Sequence, residues 1–380
     1  MRLAKQRRRD FLRTCAGGLA SLSGHAAAAP ALRLWAFSDA HVGTDKRSGR
    51  NSLADALTQS EAGGPGGAPA FEWEAALDLG DQSGAQRLPD DAEGEEVVRQ
   101  FAVLRKHRRE DIYSLGGNHD RSGLKEPQNW WWRKWLDPTG ENTRYSRVNA
   151  AARRYPIEGT WERYSFRIGN VLFLMMSDIN EPSRSVGRDT LGGNPGGVVS
   201  GETFEWWKKM VEANSGSIIV SAHHYMLKNT TVASGEWEGM RKAPDGKWQS
   251  HYHGYYEQGT PKGASYLYWV NSVPDAQAFE RYLEAHPGAI ALWLGGHTHT
   301  NPDDTYGGKS HIETKWGVHF INVSALSKHH GTRNLPMSRV LTFSGSEARV
   351  QCYLHTSDHA PQGWYPSAER RLKLRKTFSL

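Results

Sequence analysis

Cysteine is nearly absent: the 380 residues contain two, Cys15 and Cys352. A disulfide framework and a thiolate-rich metal site are both excluded as sources of stability, which leaves packing or metal binding through oxygen and nitrogen. Cys352 stands in the alternating run ARVQCYLH and reads as a core filler. Long apolar runs are missing too. The stretch TCAGGLASLSGHAAAAPA is too short and too rich in Gly and Ser to span a bilayer. No charge block, low-complexity tract or repeat period occurs, which argues against disorder and against a solenoid. An excess of one charge sign is confined to one end. Of the formal +6, residues 1–29 contribute +5, from six Lys/Arg against Asp10, and the rest is close to neutral. The basic balance therefore gives no ground for a nucleic-acid partner.

That amino-terminal segment reads as an address. RRRDFLR, with Arg8 and Arg9 as the pair, precedes a weakly apolar stretch ending in small residues, and so resembles a twin-arginine signal. The expectation is a signal over residues 1–30, cleavage between Ala26 and Ala31, and the twin-arginine export machinery as a partner. The mature form would be periplasmic or extracellular, with no membrane segment.

Residues 31–380 read as one layered α/β domain. Buried strands are predicted at LRLWAFSD (32–39), AALDLGD (75–81), IYSLGG (112–117), SIIVSAHH (217–224), AIALWLGG (289–296) and VHFINVSA (318–325). RYSFRIGNVLFLMMSD reads as two strands about a Gly-Asn turn, and 337–355 as an antiparallel pair. Helices are expected over 93–109, 200–214 and around 275–286, from apolar spacing and a Ser cap before Glu202. Residues 225–275 form a long polar and aromatic insertion suited to a lid or substrate wall. LGGNPGG (191–197) lacks the ending of a phosphate-cradling loop and reads as a turn. NWWWRKW (129–135) reads as packing rather than as an exposed stacking platform.

Five polar clusters each follow a predicted apolar strand. They are Asp39 and His41; Asp81; Asn118, His119 and Asp120; His223 and His224; and His297 and His299. Each alone is weak, since Gly-Asp or Asp-x-His at a turn is usually incidental. Together they matter, because several loops converge at strand ends in α/β sheets. Imidazole, carboxylate and amide oxygen without thiolate suit Mn, Fe, Zn or Co. Two such cations clamp a phosphoryl group and acidify a water between them.

In order and placement the set resembles the calcineurin-like metallophosphoesterase superfamily, whose motifs D-x-H, GD, GNH[DE], a His after a strand and GH-x-H fall here within residues 34–300. The resemblance implies an αββα sandwich of two mixed β-sheets flanked by helices, holding two divalent or trivalent metal ions. Carried over, Asp39, His41 and His299 would hold one ion, and Asn118, His223 and His297 the other, with Asp81 bridging. His223 is taken ahead of His224 because it comes first off the strand. His119 would protonate the leaving oxygen, and Asp120 would accept a hydrogen bond from its other ring nitrogen. Purple acid phosphatases carry D-x-G first and a tyrosine after GD-x-x. Here His41 and the run Gln82-Ser83-Gly84-Ala85 stand instead, which disfavours that subgroup. Tyr225 replaces the usual proline after the fourth motif.

The expected function is an exported hydrolase that cleaves small phosphodiesters or phosphomonoesters by metal-activated hydroxide. The alternative is a non-catalytic, metal-stabilised binder of a phosphorylated glycan or other anion. His251, His253, His311, His329 and His330 are left as residues facing substrate or solvent, and the terminal RRLKLRK as a solvated strand face.

Overall fold

The structure is a computed structural model that describes residues 30–84, 88–121, 130–179, 196–235, 240–242, 248–250, 265–271, 273–328, 335–355 and 363–380. The signal-like segment up to residue 29, residues 236–239, 243–247, 251–264 (with His251 and His253) and 272 of the insertion, and His329 and His330 lie outside the described residues.

The strands Ala31–Phe37, Ala75–Asp78 and Ile112–Ser114 run parallel in one seven-stranded sheet. The hairpin Met337–Ser344 and Glu347–Leu354 continues that sheet antiparallel from Ala31–Phe37. A second seven-stranded sheet has four parallel central strands, Val318–Asn322, Leu292–Gly295, Ile218–His223 and Val171–Met176. Arg163–Ile168 joins it as the outer half of the expected hairpin, turning at Gly169 with a φ of 55°.

The central strands are buried on both faces because each sheet is covered twice. Leu34, Ala36, Val220, Ala222 and Leu294 face inward and fill the space between the sheets. Trp35 and Phe37 face outward, under the helices Ser52–Ala62, Asp91–Phe101 and Trp130–Trp135. Ile219 and Trp293 face outward on the second sheet, under Gly201–Ala213 and Ala278–Ala285. The result is the αββα sandwich. Trp131, Trp132 and Trp135 belong to the outer core, as the packing reading expects. Burial of one large apolar side chain contributes roughly 1.5–3 kcal/mol, which outweighs any use of these rings as an exposed platform.

Two local expectations change. The helix predicted over 93–109 spans Asp91–Phe101, capped by Asp90, whose carboxylate accepts from the Glu93 amide. It stops there because the Glu61 carboxylate captures the amides of Arg105, Lys106 and His107 at 2.8, 3.1 and 2.9 Å. The helix Ser52–Ala62, which supplies Glu61, was not anticipated.

Candidate metal centre

The parallel strands of both sheets end at one edge of the sandwich, and the candidate residues follow just past those ends. Leaving a strand so abruptly needs unusual backbone. Asp39, His41, Asp81 and His297 all take left-handed conformations, with φ of 57°, 44°, 57° and 66°. Such torsions in side-chain-bearing residues are costly and concentrate where geometry is functional. Gly117 lets the Asn118 turn lie against Asp81, since a Cβ there would strike the Asp81 carboxylate.

Asp39, fully buried, accepts from the His297 amide at 2.9 Å through Oδ2 and lies 2.9 Å from His299 Nε2 through Oδ1. His41 Nε2 is 3.1 Å from His299 Nε2 and 3.5 Å from Asp39 Oδ1. Asp81 accepts from the His119 amide at 2.7 Å through Oδ1, while its Oδ2 lies 3.1 Å from His224 Nε2 and 3.9 Å from His41 Nε2. Three overlapping groups of ligand atoms result, each drawn together within 4.8 Å: Asp39, His41 and His299; His41, Asp81 and His119; and Asp81, His224 and His297. Asn118 is buried on the turn between Gly117 and His119.

Two sequence assignments are corrected. His224, not His223, meets Asp81 and His297. The reason is strand alternation: Ile218, Val220 and Ala222 face the inter-sheet core, so residue 224 continues that face into the groove. His223 shares the outward face with Ile219 and Ser221. Its Nδ1 accepts from the Tyr225 amide at 3.0 Å, and its Nε2 lies 3.8 Å from Asp178. Asp120, in turn, does not orient the His119 ring. Its carboxylate accepts from the backbone amides of Asp81 and Ser83, both at 2.8 Å, and of Gly117 at 2.9 Å. It shapes the Asp81 loop instead. His311, one of the unassigned histidines, is buried against Asn301 and Thr300 beside the His299 loop.

The electrostatics favour positive charge at this point. Burial opposes a charged His224, yet Asp81 and Asp39 raise it to about 10. Burial likewise works to raise Asp39, but His224 and His299 hold it well below the usual carboxylate range. His223, outside the cluster, is pushed down to about 3 by burial and then by His224. Asp120 is pushed up to about 7 by burial and then by Asp81, against the pull of its amide donors. The donor set fits hard or borderline divalent cations. His41 Nδ1 lies 3.0 Å from Ser83 O and His224 Nδ1 2.7 Å from Leu79 O, so both rings turn Nε2 toward the carboxylates.

No curated protein matches the chain. Its fold is similar to a predicted phosphoesterase of Streptococcus pneumoniae TIGR4, at 11% identity over 91% of this chain and 99% of that one, with a TM-score of 0.33. It is also similar to GAP50, the anchor in the inner membrane complex of Plasmodium, at 10% identity over 91% and 90% with a TM-score of 0.46. A third similar structure is the SoxB sulfate thiohydrolase of Thermus thermophilus, at 11% identity over 89% and 58% with a TM-score of 0.40. The family assignment rests on none of these. The family model for calcineurin-like phosphoesterases matches residues 32–301, which contain every group of the centre, and the chain belongs to that family.

Proposed function

We propose that this chain is an exported phosphoesterase with a dinuclear centre, acting on small phosphodiesters or phosphomonoesters. The observation that carries the reading is the convergence of Asp39, His41, Asp81, His224, His297 and His299 from two sheets onto one buried point. Asp39, His41 and His299 would hold one cation, and Asn118, His224 and His297 the other, with Asp81 shared. Bound there, divalent cations would supply Lewis acidity toward a phosphoryl oxygen and toward the attacking water.

The remaining chemistry belongs to the chain. Asn118 would add a neutral oxygen donor and so no further negative charge near an anionic substrate. His119, with Nε2 4.0 Å from Asp81 Oδ2 and 4% exposed, stands beside the centre. From that nitrogen it would pass a proton to the leaving oxygen. Asp120 holds the Asp81 loop through the amides of Asp81 and Ser83. The ligand side chains are almost wholly buried, so the charges act in a poorly screened site. The basic RRRDFLR segment supports export, with the periplasm or the outside as destination, and the near-neutral charge of the remaining chain supports a small substrate rather than a nucleic acid.

The test is metal analysis of the mature protein, paired with phosphomonoester and phosphodiester substrates with and without chelator. Two metal equivalents and chelator-sensitive turnover are expected. Metal-dependent folding without turnover on either class would overturn the enzyme reading in favour of an anion binder.

A further inference from the structure

One buried carboxylate next to the centre has no place in the ligand set. Glu93 lies in the first turn of the helix Asp91–Phe101, is 4% exposed, and reaches toward the groove rather than to solvent. Its Oε1 accepts from two backbone amides at once, Gly43 at 3.1 Å and Gly84 at 2.5 Å. Those amides belong to different ligand loops. Gly43 is two residues past His41, and Gly84 three past Asp81. The same junction carries a bond from the Thr44 hydroxyl to the Gly84 carbonyl, and His41 Nδ1 lies 3.0 Å from the carbonyl of Ser83. Both positions are bare for a reason. A Cβ on Gly43 would strike the Glu93 carboxylate, and one on Gly84 would strike the His41 carbonyl.

We infer that Glu93 is a positioning residue that clamps the His41 loop to the Asp81 loop and thereby fixes the His41 imidazole for metal. The path is short. The carboxylate fixes Gly84, Gly84 fixes the Ser83 carbonyl, and that carbonyl takes the Nδ1 proton, which leaves Nε2 toward Asp39 and His299. Asp120 holds the other side of the loop through the amides of Asp81 and Ser83. The two clamps differ in reach. Asp120 acts on the shared carboxylate, whereas Glu93 acts on the cation held by Asp39, His41 and His299.

The inference rests on the two-metal reading of the centre, and its test separates the two. Metal-free wild type, Glu93→Ala and Glu93→Gln are titrated with Co²⁺ and followed by visible absorption, with no substrate present. Outer partners of ligating histidines typically contribute 10–100-fold in affinity. Glu93→Ala is expected to weaken one of the two Co²⁺ equivalents by roughly that factor and the other by less than about twofold. Glu93→Gln, whose amide oxygen still accepts from both glycines, restores most of the loss. Gly43→Ala, which leaves Glu93 in place but displaces its carboxylate, repeats the alanine result and covers the case in which Glu93→Ala fails to fold. Equal weakening of both equivalents, no weakening, or no rescue by glutamine overturns the clamp. A wild type that takes up fewer than two equivalents refutes the dinuclear reading instead. The clamp is then decided by nitrogen-15 spectra of the metal-free proteins, which must show one His41 tautomer, protonated at Nδ1, in wild type and its loss in Gly43→Ala. An unchanged His41 spectrum in that variant overturns the clamp.

Discussion

The sheet around Ala31–Phe37 delivers both carboxylates, Asp39 and Asp81, with Asn118, His41 and His119, whereas the sheet around Ile218–His223 delivers imidazoles alone. Two of the three ligand groups draw on both halves, whereas His41, Asp81 and His119 come from the first sheet alone. Without His224, His297 and His299 the first half keeps Asp39 and Asp81 buried with only His41 and His119 beside them, and the second half brings no carboxylate to the cluster. Completing the centre takes both sheets, and charge is balanced across the seam by Asp39 with His299 and Asp81 with His224. The comparison teaches where to cut: a change in either half should be felt as metal loss, while changes beside the seam should be felt elsewhere.

The largest expected effect comes from the two adjacent histidines. His224→Ala should lower metal affinity by more than about 100-fold, beyond what outer partners contribute, while His223→Ala stays below about tenfold. Calorimetric metal titration of both variants checks this, and the reverse ranking would break the assignment of halves. Next in size is the split between His119 and Asp120. His119→Ala should cost roughly 10²–10⁴-fold on esters with poor leaving groups and far less on p-nitrophenyl esters. Asp120→Asn, which leaves buried amide donors poorly met, should cost about 1–3 kcal/mol of stability and slow both substrate types alike. Rates on paired leaving groups, with melting curves, distinguish the two.

Away from the seam the effects fall on stability rather than on metal or rate, and have opposite sign in the two halves. His355, behind the first sheet, is pushed down to about 3 by burial. The unfolded chain takes up that proton near pH 6.5 and the folded chain does not, so stability is present above pH 6.5 and is lost as pH falls from there toward 3. Glu280, on the helix behind the second sheet, is pushed up to about 7 by burial. Its unfolded form ionises first, so stability is present below pH 4.5 and is lost as pH rises from there through 7. Each slope is at most about 1.4 kcal/mol per pH unit. Melting temperature against pH should show a shallower acid limb in His355→Gln and a shallower near-neutral decline in Glu280→Gln.

The sequence reading reached the layered α/β domain and the clustered strand ends because both depend on local pattern, while the sandwich arrangement came from the family resemblance. Apolar strands such as Leu34–Phe37 and Leu292–Leu294 are legible by composition, and the polar residues after them by contrast. What escaped it depends on phase or on distant partners. The choice between His223 and His224 was available in the parity of Ile218, Val220 and Ala222, had the inward face been counted rather than the first histidine taken. Asp120 could not be placed, because its partners are the amides of Asp81 and Ser83, 39 and 37 residues away, and backbone donors leave no mark in sequence. Glu61 ended a helix by the same means, from 44 to 46 residues away. Glu93, with Gly43 and Gly84, belongs to that class as well.

The left-handed torsions at Asp39, His41, Asp81 and His297 carry a consequence for anyone dissecting the centre. Alanine at these positions removes a donor atom and also loses the better tolerance of this torsion that Asp and His have, so a lost activity would have two causes. Asparagine tolerates the same torsion, so Asp39→Asn, His41→Asn, Asp81→Asn and His297→Asn hold the backbone term steady while replacing the carboxylate or imidazole by a neutral amide donor.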